Sequence, residues 1–358
     1  MTGHTGFKGS WLAAWLADLG AEVAGLSLDP NDDQQLFGAL NLSDRLHADH
    51  RADVRDRAQV AELIAHEAPE FIFHLAAQPL VRLSYEAPAA TFEINVQGVV
   101  NVLDAVRSSG HQCVIVVATT DKCYENLGWL HAYREEDPLG GHDPYSASKA
   151  AAELVVASYR RSFFSDCRGV KLASARAGNV IGGGDWARDR IVPDCIRALR
   201  RGEPIPVRNK VATRPWQHVL EPLSGYLLLA AAMDNPRRVQ QPNAVRLCEP
   251  FNFGPSLASN RTVAELVEEL LTHLPGAWDD RSDAAAPHEA SKLNLAIDKA
   301  HHLLGWRPAW DFRETIRRTV EWYRAEEQGA DLARLTREQI RDYQAAAYSA
   351  NIPWARAA

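Results

Sequence analysis

No apolar run in this chain approaches the roughly 20 residues needed to span a bilayer, so no segment reads as a membrane anchor. Cysteine is scarce and unpaired in its spacing. Cys113, Cys123, Cys167, Cys195 and Cys248 are scattered, and an odd count without a signal peptide predicts reduced thiols and a cytoplasmic protein. Basic charge is also short: 39 Lys and Arg against 46 Asp and Glu leave a formal charge of −7. That balance argues against binding long nucleic acid, because counterion release needs cations clustered on one face, while a single nucleotide stays within reach. No metal-ligand spacing is found, His301-His302 being a doublet, and no repeat or low-complexity segment appears. What remains is ordinary globular material. The 358 residues, 46% hydrophobic and 24% charged, suffice for one large core or two smaller ones.

The first half alternates short apolar runs with helical stretches, the pattern of βαβ units around a parallel sheet. Strands are predicted over Glu22–Leu28, Glu70–Ala76, Gln112–Thr119 and Val170–Ala177. Between them Gly9–Leu19, Val60–Glu67, Thr91–Ser108 and Tyr145–Phe164 carry apolar residues at helical spacing. Loops rich in Gly, Pro and Trp follow from Gly182 through Pro215, then an apolar helix near His218–Met233, a short strand at Phe251–Phe253 and a helical remainder. The last 30 residues read as one or two surface helices. The expectation is an α/β fold, a Rossmann-like doubly wound parallel sheet with a smaller interleaved C-terminal domain. Residues 1–180 with 215–255 would bind a dinucleotide, and 181–214 with 256–358 a substrate.

Three motifs bear on chemistry. Thr2-Gly3-His4-Thr5-Gly6-Phe7-Lys8-Gly9 runs straight into a helix, so a pyrophosphate could sit on backbone N–H groups at its N-terminus, with Gly6 allowing close approach. Such a triplet also closes an ordinary turn, and a second acidic element has to support it. Asp29, twenty residues after Gly9, is placed to bond the adenosine ribose hydroxyls and favour NAD over NADP, with Ser27 competing for the place. Asp53 in Ala52-Asp53-Val54-Arg55 is placed for the adenine amino group, a solvated loop aspartate being the alternative.

In Tyr145-Ser146-Ala147-Ser148-Lys149 the four-residue separation stacks a phenol and an ammonium on one helix face. A cation beside the phenol favours the phenolate, so Tyr145 could take the proton of a sugar hydroxyl while hydride leaves the same carbon for NAD⁺. Thr119-Thr120-Asp121-Lys122 should emerge at the carboxyl end of a parallel strand, where open α/β sheets bind ligands. Thr120 supplies a hydroxyl for the reacting oxygen. An acid and a potential base beside it suggest proton abstraction and loss of water as well as a redox step, the alternative being a surface ion pair at a strand end.

The glycine loop, His74-Leu75-Ala76-Ala77-Gln78, the Thr-Asp-Lys triplet and the Tyr145/Lys149 pair resemble the extended short-chain dehydrogenases that act on nucleotide sugars. Gly3–Trp11, Asp121–Asn126, Asp137–Lys149, Arg176–Trp186 and Thr213–Tyr226 resemble the subgroup of 4,6-dehydratases acting on CDP-glucose, and the likeness runs from residue 2 to about Arg324. The resemblance implies bound NAD, held by Gly3, Thr5, Gly6, Phe7, Gly9, Asp29, Asp53, Val54, Leu75, Ala76, Ala77, Gln78, Asn95, Tyr145 and Lys149, with Asn95 bracing the active-site backbone. It implies catalysis by Thr120, Asp121, Lys122, Tyr145 and Lys149. Asn179, Arg190, Arg214, His218 and His288 would meet the nucleotide sugar, the two histidines being equally at home in packing or on the surface.

In the implied cycle Tyr145 deprotonates the C4 hydroxyl as hydride leaves, Asp121 protonates the C6 hydroxyl, and Lys122 takes the C5 proton. In the related dTDP-glucose dehydratases a Glu occupies the place of Lys122, and a lysine serves there only if like charge and burial favour its neutral form. A homodimer through Thr91–Ser108 and Tyr145–Phe164 is implied too. A UDP-sugar dehydratase and a catalytically idle NAD-binding scaffold are the rival readings. In the family an apolar strand precedes the glycine loop, whereas here Met1 stands directly before Thr2. The expectation is that a mid-sheet strand is missing, that the loop loses its anchor, and that the natural polypeptide starts upstream.

Overall fold

The computed structural model describes residues 1–31, 35–165, 169–235, 247–282 and 293–356. Six parallel strands build the main sheet: β1 (Ala24–Ser27), β2 (Ala48–Arg51), β3 (Phe71–His74), β4 (Val114–Ala118), β5 (Lys171–Arg176) and β6 (Phe251–Asn252). β1 pairs with β2, and β3, β4, β5 and β6 pair in that order. The four predicted strands of the first half are all present, each a little shorter than its apolar run. β2 was not anticipated. Its Ala-Asp-His-Arg sequence has no apolar face, as an edge strand with neighbours on one side allows.

The seam between β1 and β3 is where a strand was expected to be missing, and the first residues of the chain occupy it. Thr2 N–H donates to the Phe73 carbonyl at 2.9 Å and Leu75 N–H to the Thr2 carbonyl at 3.2 Å. On the other side Leu26 N–H reaches the Met1 carbonyl and Gly3 N–H the Leu26 carbonyl, each at 2.8 Å. The glycine loop is therefore anchored to both halves of the sheet, contrary to the expectation that it would hang free. Thr2 makes the single-residue bridges to Leu26 and His74 that link the two strand sets.

Helices cover both faces. α1 (Phe7–Asp18), α2 (Arg57–Glu67), α3 (Gly98–Ser109), α4 (Pro144–Ser162) and α5 (Leu220–Asp234) surround the sheet. One core gathers Trp11, Trp15, Val114, Val116, Leu223 and Phe251 with the C-terminal Trp322 and Tyr343; the other holds Val60, Val102, Ile115, Val117 and Val156. The predicted helix Thr91–Ser108 is broken by a wide π-type turn over Glu93–Gln97 before α3 begins.

Phe251–Asn252 of the second half joins the sheet of the first beside β5, and two small strand pairs lie outside it. Ile205–Val207 pairs with Trp278–Asp280, and Thr213–Pro215 pairs with Asn260–Thr262. The C-terminal helices α6 (Phe312–Glu327) and α7 (Leu332–Ser349) differ from simple surface helices. α7 buries Thr336, Gln339, Ile340, Tyr343 and Ala347, and Tyr343 meets Trp15 of α1 edge to face at 5.8 Å. Among the described residues no helix is long and apolar enough to cross a membrane.

Candidate active site

Where β4 ends, Thr120 caps the short turn Asp121–Cys123. Its Oγ1 accepts from Lys122 N–H at 3.3 Å and donates to Asp121 Oδ1 at 3.0 Å. Asp121 is fully buried. Its other oxygen accepts from Asn179 Nδ2 at 3.3 Å, and Asn179 takes a left-handed φ of 49° to deliver that amide. Gly178 makes room: a Cβ there would lie 1.9 Å from Asp121 Oδ2. Lys122 Nζ stands 4.0 Å from Asp121 Oδ1 with its side chain a quarter exposed.

α4 supplies the second wall. Asp143 caps it, accepting from Ser146 N–H at 2.9 Å and Ser146 Oγ at 2.6 Å, so Tyr145 and Lys149 fall in its first turns. The Tyr145 phenol lies beside Thr120, whose hydroxyl favours the phenolate. Burial pushes Tyr145 up to about 12, Asp121 adding to the effect while the Thr120 hydroxyl and Arg190 oppose it. The chain's own charges thus do not outweigh desolvation of the phenolate. Lys149 Nζ donates to the Ala118 carbonyl at 3.5 Å, and burial pushes it down to about 8 against the pull of Glu153 and Cys123.

The glycine loop lies against the strand end of β3. Gly3 has φ +75°, and a Cβ on it would stand 2.6 Å from Ala76 N; one on Gly9 would stand 1.9 Å from the Gly3 carbonyl oxygen. Gly6 meets only that oxygen, at 3.4 Å, leaving its other side open. It caps α1 without a side-chain bond, so the N–H groups of Phe7 and its neighbours form the bare helix N-terminus that suits a pyrophosphate. Thr5 Oγ1 joins Ser27 Oγ at 2.7 Å and donates to the Leu28 carbonyl at 3.2 Å.

Leu75, Ala76 and Ala77 form a half-buried shelf ending at buried Gln78. Asn95 sits where the resemblance has it brace the active-site backbone. Its Oδ1 accepts from Gln78 N–H at 2.8 Å and its Nδ2 donates to the Gln78 carbonyl and Ser148 Oγ at 3.1 and 2.9 Å, so it braces the shelf. The π-type turn carries it there. Asp29 is exposed, 3.6 Å from Arg51 Nε, while Ser27 is engaged with Thr5. Both Asp53 oxygens accept from Arg55, and Val54 is buried beside Gly98.

Of the residues expected at a nucleotide sugar, Asn179 and Arg190 fall at the catalytic end. Arg190 pairs with Asp185 at 2.7 Å and lies within electrostatic reach of Tyr145 and Lys8. Arg214 is buried on Thr213–Pro215, with Nη1 donating to the Thr213 carbonyl at 3.0 Å. His218 is a correction. It is fully buried, edge to face between Trp11 at 5.7 Å and Trp310 at 4.9 Å, and burial pushes it down to about 3, so it packs the core. His288 lies outside the described residues. Among those described, no group of three or more His, Cys, Asp or Glu could hold a metal.

Two residues escaped sequence reasoning. His4 is buried in the glycine loop with Nε2 2.8 Å from Asp49 Oδ1, tying the loop to β2. Lys8 is pushed down to about 7 by burial and by Arg190 and Lys149, with Asp121 and Asp185 opposing. A lysine at helix spacing gives no sign of this, since its neighbours come from motifs more than a hundred residues away.

The family model for GDP-mannose 4,6-dehydratase matches residues 1–319. A CDP-glucose 4,6-dehydratase of Salmonella typhimurium is 44% identical over 355 residues, covering 97% of this chain and 96% of its own length. The structure of DesIV, a dTDP-glucose 4,6-dehydratase of Streptomyces venezuelae solved with NAD, superposes with a TM-score of 0.77 at 25% identity, covering 93% and 98% of the two chains. A UDP-glucose 4-epimerase of Thermus thermophilus in complex with NAD gives a TM-score of 0.73 at 26% identity over 90% and 97%.

Proposed function

Because the chain belongs to the GDP-mannose 4,6-dehydratase family of extended short-chain dehydrogenases, we propose that it is a hydro-lyase converting CDP-D-glucose to CDP-4-keto-6-deoxy-D-glucose with NAD as catalytic cofactor. One observation carries the chemistry: a fully buried carboxyl, Asp121, is held against Thr120 beside the Tyr145 phenol. Simple hydride transfer to or from an alcohol has no use for a second acid there, whereas removal of a hydroxyl does.

NAD, when bound, would supply the hydride chemistry, an acceptor for the C4 hydride and its donor back to C6, with a cationic ring adding positive charge beside the phenol. The open side of Gly6 and the bare start of α1 fit its pyrophosphate, with Gly3, Thr5, Phe7 and Gly9 shaping the loop. Leu75, Ala76, Ala77 and Gln78 form the facing shelf, and Asp29, Asp53 and Val54 border the adenosine end. Tyr145 accepts the proton of the C4 hydroxyl, Thr120 and Lys149 supporting the phenolate. Once C4 is a carbonyl its neighbour C5 is acidic, and neutral Lys122 would take that proton and hand it back to C5 as hydride returns to C6. Asp121 protonates the C6 hydroxyl, which leaves as water. Asn179 steadies Asp121, and Arg190 and Arg214 offer guanidinium forks suited to the diphosphate.

The protein acts as a homodimer in this reading, supported by the apolar outer faces of the π-type turn with α3 and of α4. A cytoplasmic location belongs to it as well: Cys113, Cys123 and Cys195 are buried thiols outside any disulfide, as a reducing compartment allows. Incubation with CDP-, UDP-, GDP- and dTDP-glucose tests the substrate. The alkali-induced 4-keto chromophore should develop mainly with CDP-glucose; strongest turnover of UDP-glucose would favour the rival dehydratase, and turnover of none the idle scaffold.

A further inference from the structure

Behind the strand end that carries Thr120 lies an ion pair to which the reaction assigns no task. Glu153 stands one helical turn after Lys149 on α4, and Arg176 closes β5; both are buried. Arg176 Nη2 donates to Glu153 Oε2 at 2.8 Å, and Ser174 Oγ donates to the same oxygen at 2.7 Å. Glu153 Oε1 accepts from Thr119 Oγ1 at 2.5 Å. The other arm of Arg176 reaches Tyr124 OH at 2.8 Å and the Glu135 carbonyl at 3.0 Å, and Tyr124 OH passes on to Asn252 Oδ1 at 2.7 Å.

A buried pair of this kind seldom stabilises a fold more than apolar packing of equal volume, so its place calls for another reason. Two contacts supply one. Thr119 is the residue before Thr120, so the carboxylate grips the strand end directly beneath the catalytic turn. Lys149 shares the helix face of Glu153 at i,i+4 spacing, and it is buried where a lone ammonium is costly. The titratable groups facing Lys149 are Lys8 of α1, His74 of β3, Cys123 of the turn and Glu153 of α4, with Tyr145 one helical turn before it. Burial holds His74 neutral, at about 3, and keeps the Cys123 thiol protonated. Lys8 is of like charge. Asp121 has its oxygens engaged by Thr120 and Asn179.

We propose that Glu153 is a positioning residue for the proton transfers: its carboxylate is the counter-charge of the Lys149 ammonium and, through Thr119, fixes the strand end presenting Thr120 and Asp121. The proposal rests on the reading of Tyr145 and Lys149 as the catalytic pair. Glu153→Gln takes the carboxylate away from Lys149 and leaves the Arg176 charge unanswered, whereas Arg176→Gln leaves the carboxylate unshared.

The test follows the Lys149 Cε NMR signal with pH in the cofactor-free protein, assigned by its loss in Lys149→Arg. The midpoint should fall by about one pH unit in Glu153→Gln and rise by a similar amount in Arg176→Gln, since an opposite charge favours the ammonium and a like charge disfavours it. The double substitution Glu153→Gln/Arg176→Gln should fall between them, and it serves if either single variant fails to fold. Thr119→Val, which keeps both charges, should slow turnover with the midpoint unmoved. A midpoint that stays put, or moves the same way in both single variants, overturns the proposal. If the midpoints separate as expected but the alkaline limb of turnover does not follow them, Glu153 still pairs with Lys149 and the failure lies with the catalytic role given to Lys149.

Discussion

An alanine at position 178 would set a methyl carbon 1.9 Å from Asp121 Oδ2, and Gly178 is held in place by Gln217 Nε2, which donates to its carbonyl at 3.0 Å. The carboxyl would have to give way. A catalytic group displaced by about 1 Å loses on the order of 10² in rate, so Gly178→Ala should lower dehydration by about that factor while bound-cofactor absorbance still responds to CDP-glucose. Asp121→Asn should behave alike but more severely, on the order of 10²–10⁴, because an amide cannot protonate the leaving hydroxyl. NADH should accumulate in it, and product formed at the unchanged rate would remove Asp121 from its role. Tyr145→Phe should instead show no NADH at all. Asp121 and Tyr145 were legible in the sequence because each sits in a local pattern, a strand end or an i,i+4 pair. Lys8, Glu153 and Gly178 were not, because what surrounds them is contributed by segments distant in the chain, and nothing local marks a lysine, a glutamate or a glycine as facing Asp121 or Lys149.

Elements were read best where burial is two-sided. β4 is a continuous apolar run, and β3 and β5 carry buried Ile72, Phe73, Leu172 and Ala173, because helices cover both faces, whereas β2 lies at an edge and carries Asp49, His50 and Arg51. The π-type turn at Glu93–Gln97 was invisible, since widening a helix by one residue leaves its apolar spacing nearly unchanged while turning Asn95 inward. Helix α7, in the last 30 residues, was misjudged as surface because few of its residues are apolar, yet it locks onto α5 through a buried carboxyl. Glu221 accepts from Trp310 N–H at 2.7 Å and from Tyr343 OH at 2.7 Å, with Ala309 N–H at 3.1 Å. Burial pushes this group up to about 7 from an ordinary 4.5. A carboxyl raised on folding contributes stability that is complete below pH 4.5 and is lost as pH rises through about 7, here on the order of 3 kcal/mol. The melting temperature should therefore decline between pH 5 and 8, and Glu221→Gln should flatten that decline. An identical slope in the variant would place the pH dependence elsewhere.

At the scale of the whole molecule, the outer surface of the two helical segments expected to pair across a dimer is conspicuously apolar. On α4, Leu154 is 61% exposed, with Ala147, Ala151 and Val155 half-buried beside it. Val96 of the π-type turn and Val100 of α3 are half-buried, and Phe92, just before the turn, is exposed. Leu83 and Tyr85 of the neighbouring helix Val81–Glu86 are exposed as well. The inner face of α4 holds Tyr145, Lys149 and Glu153, so one helix serves the reaction on one side and leaves an apolar stripe on the other. Water rarely faces so many apolar groups on two adjacent helices unless a partner covers them, and a two-fold axis between copies would bring each stripe against its own equivalent as a four-helix bundle. Light scattering at micromolar concentration should give twice the chain mass. Leu154→Arg sets a guanidinium on the axis side of α4 opposite its own copy, and it should give the single-chain mass without changing the fold seen by circular dichroism. Because the dimer would clamp the outside of the helix whose inside carries Tyr145 and Lys149, the monomeric variant should also melt earlier and turn over more slowly. A wild-type chain that scatters as a monomer, or a Leu154→Arg variant that stays dimeric, would mean that this face is not where two copies meet.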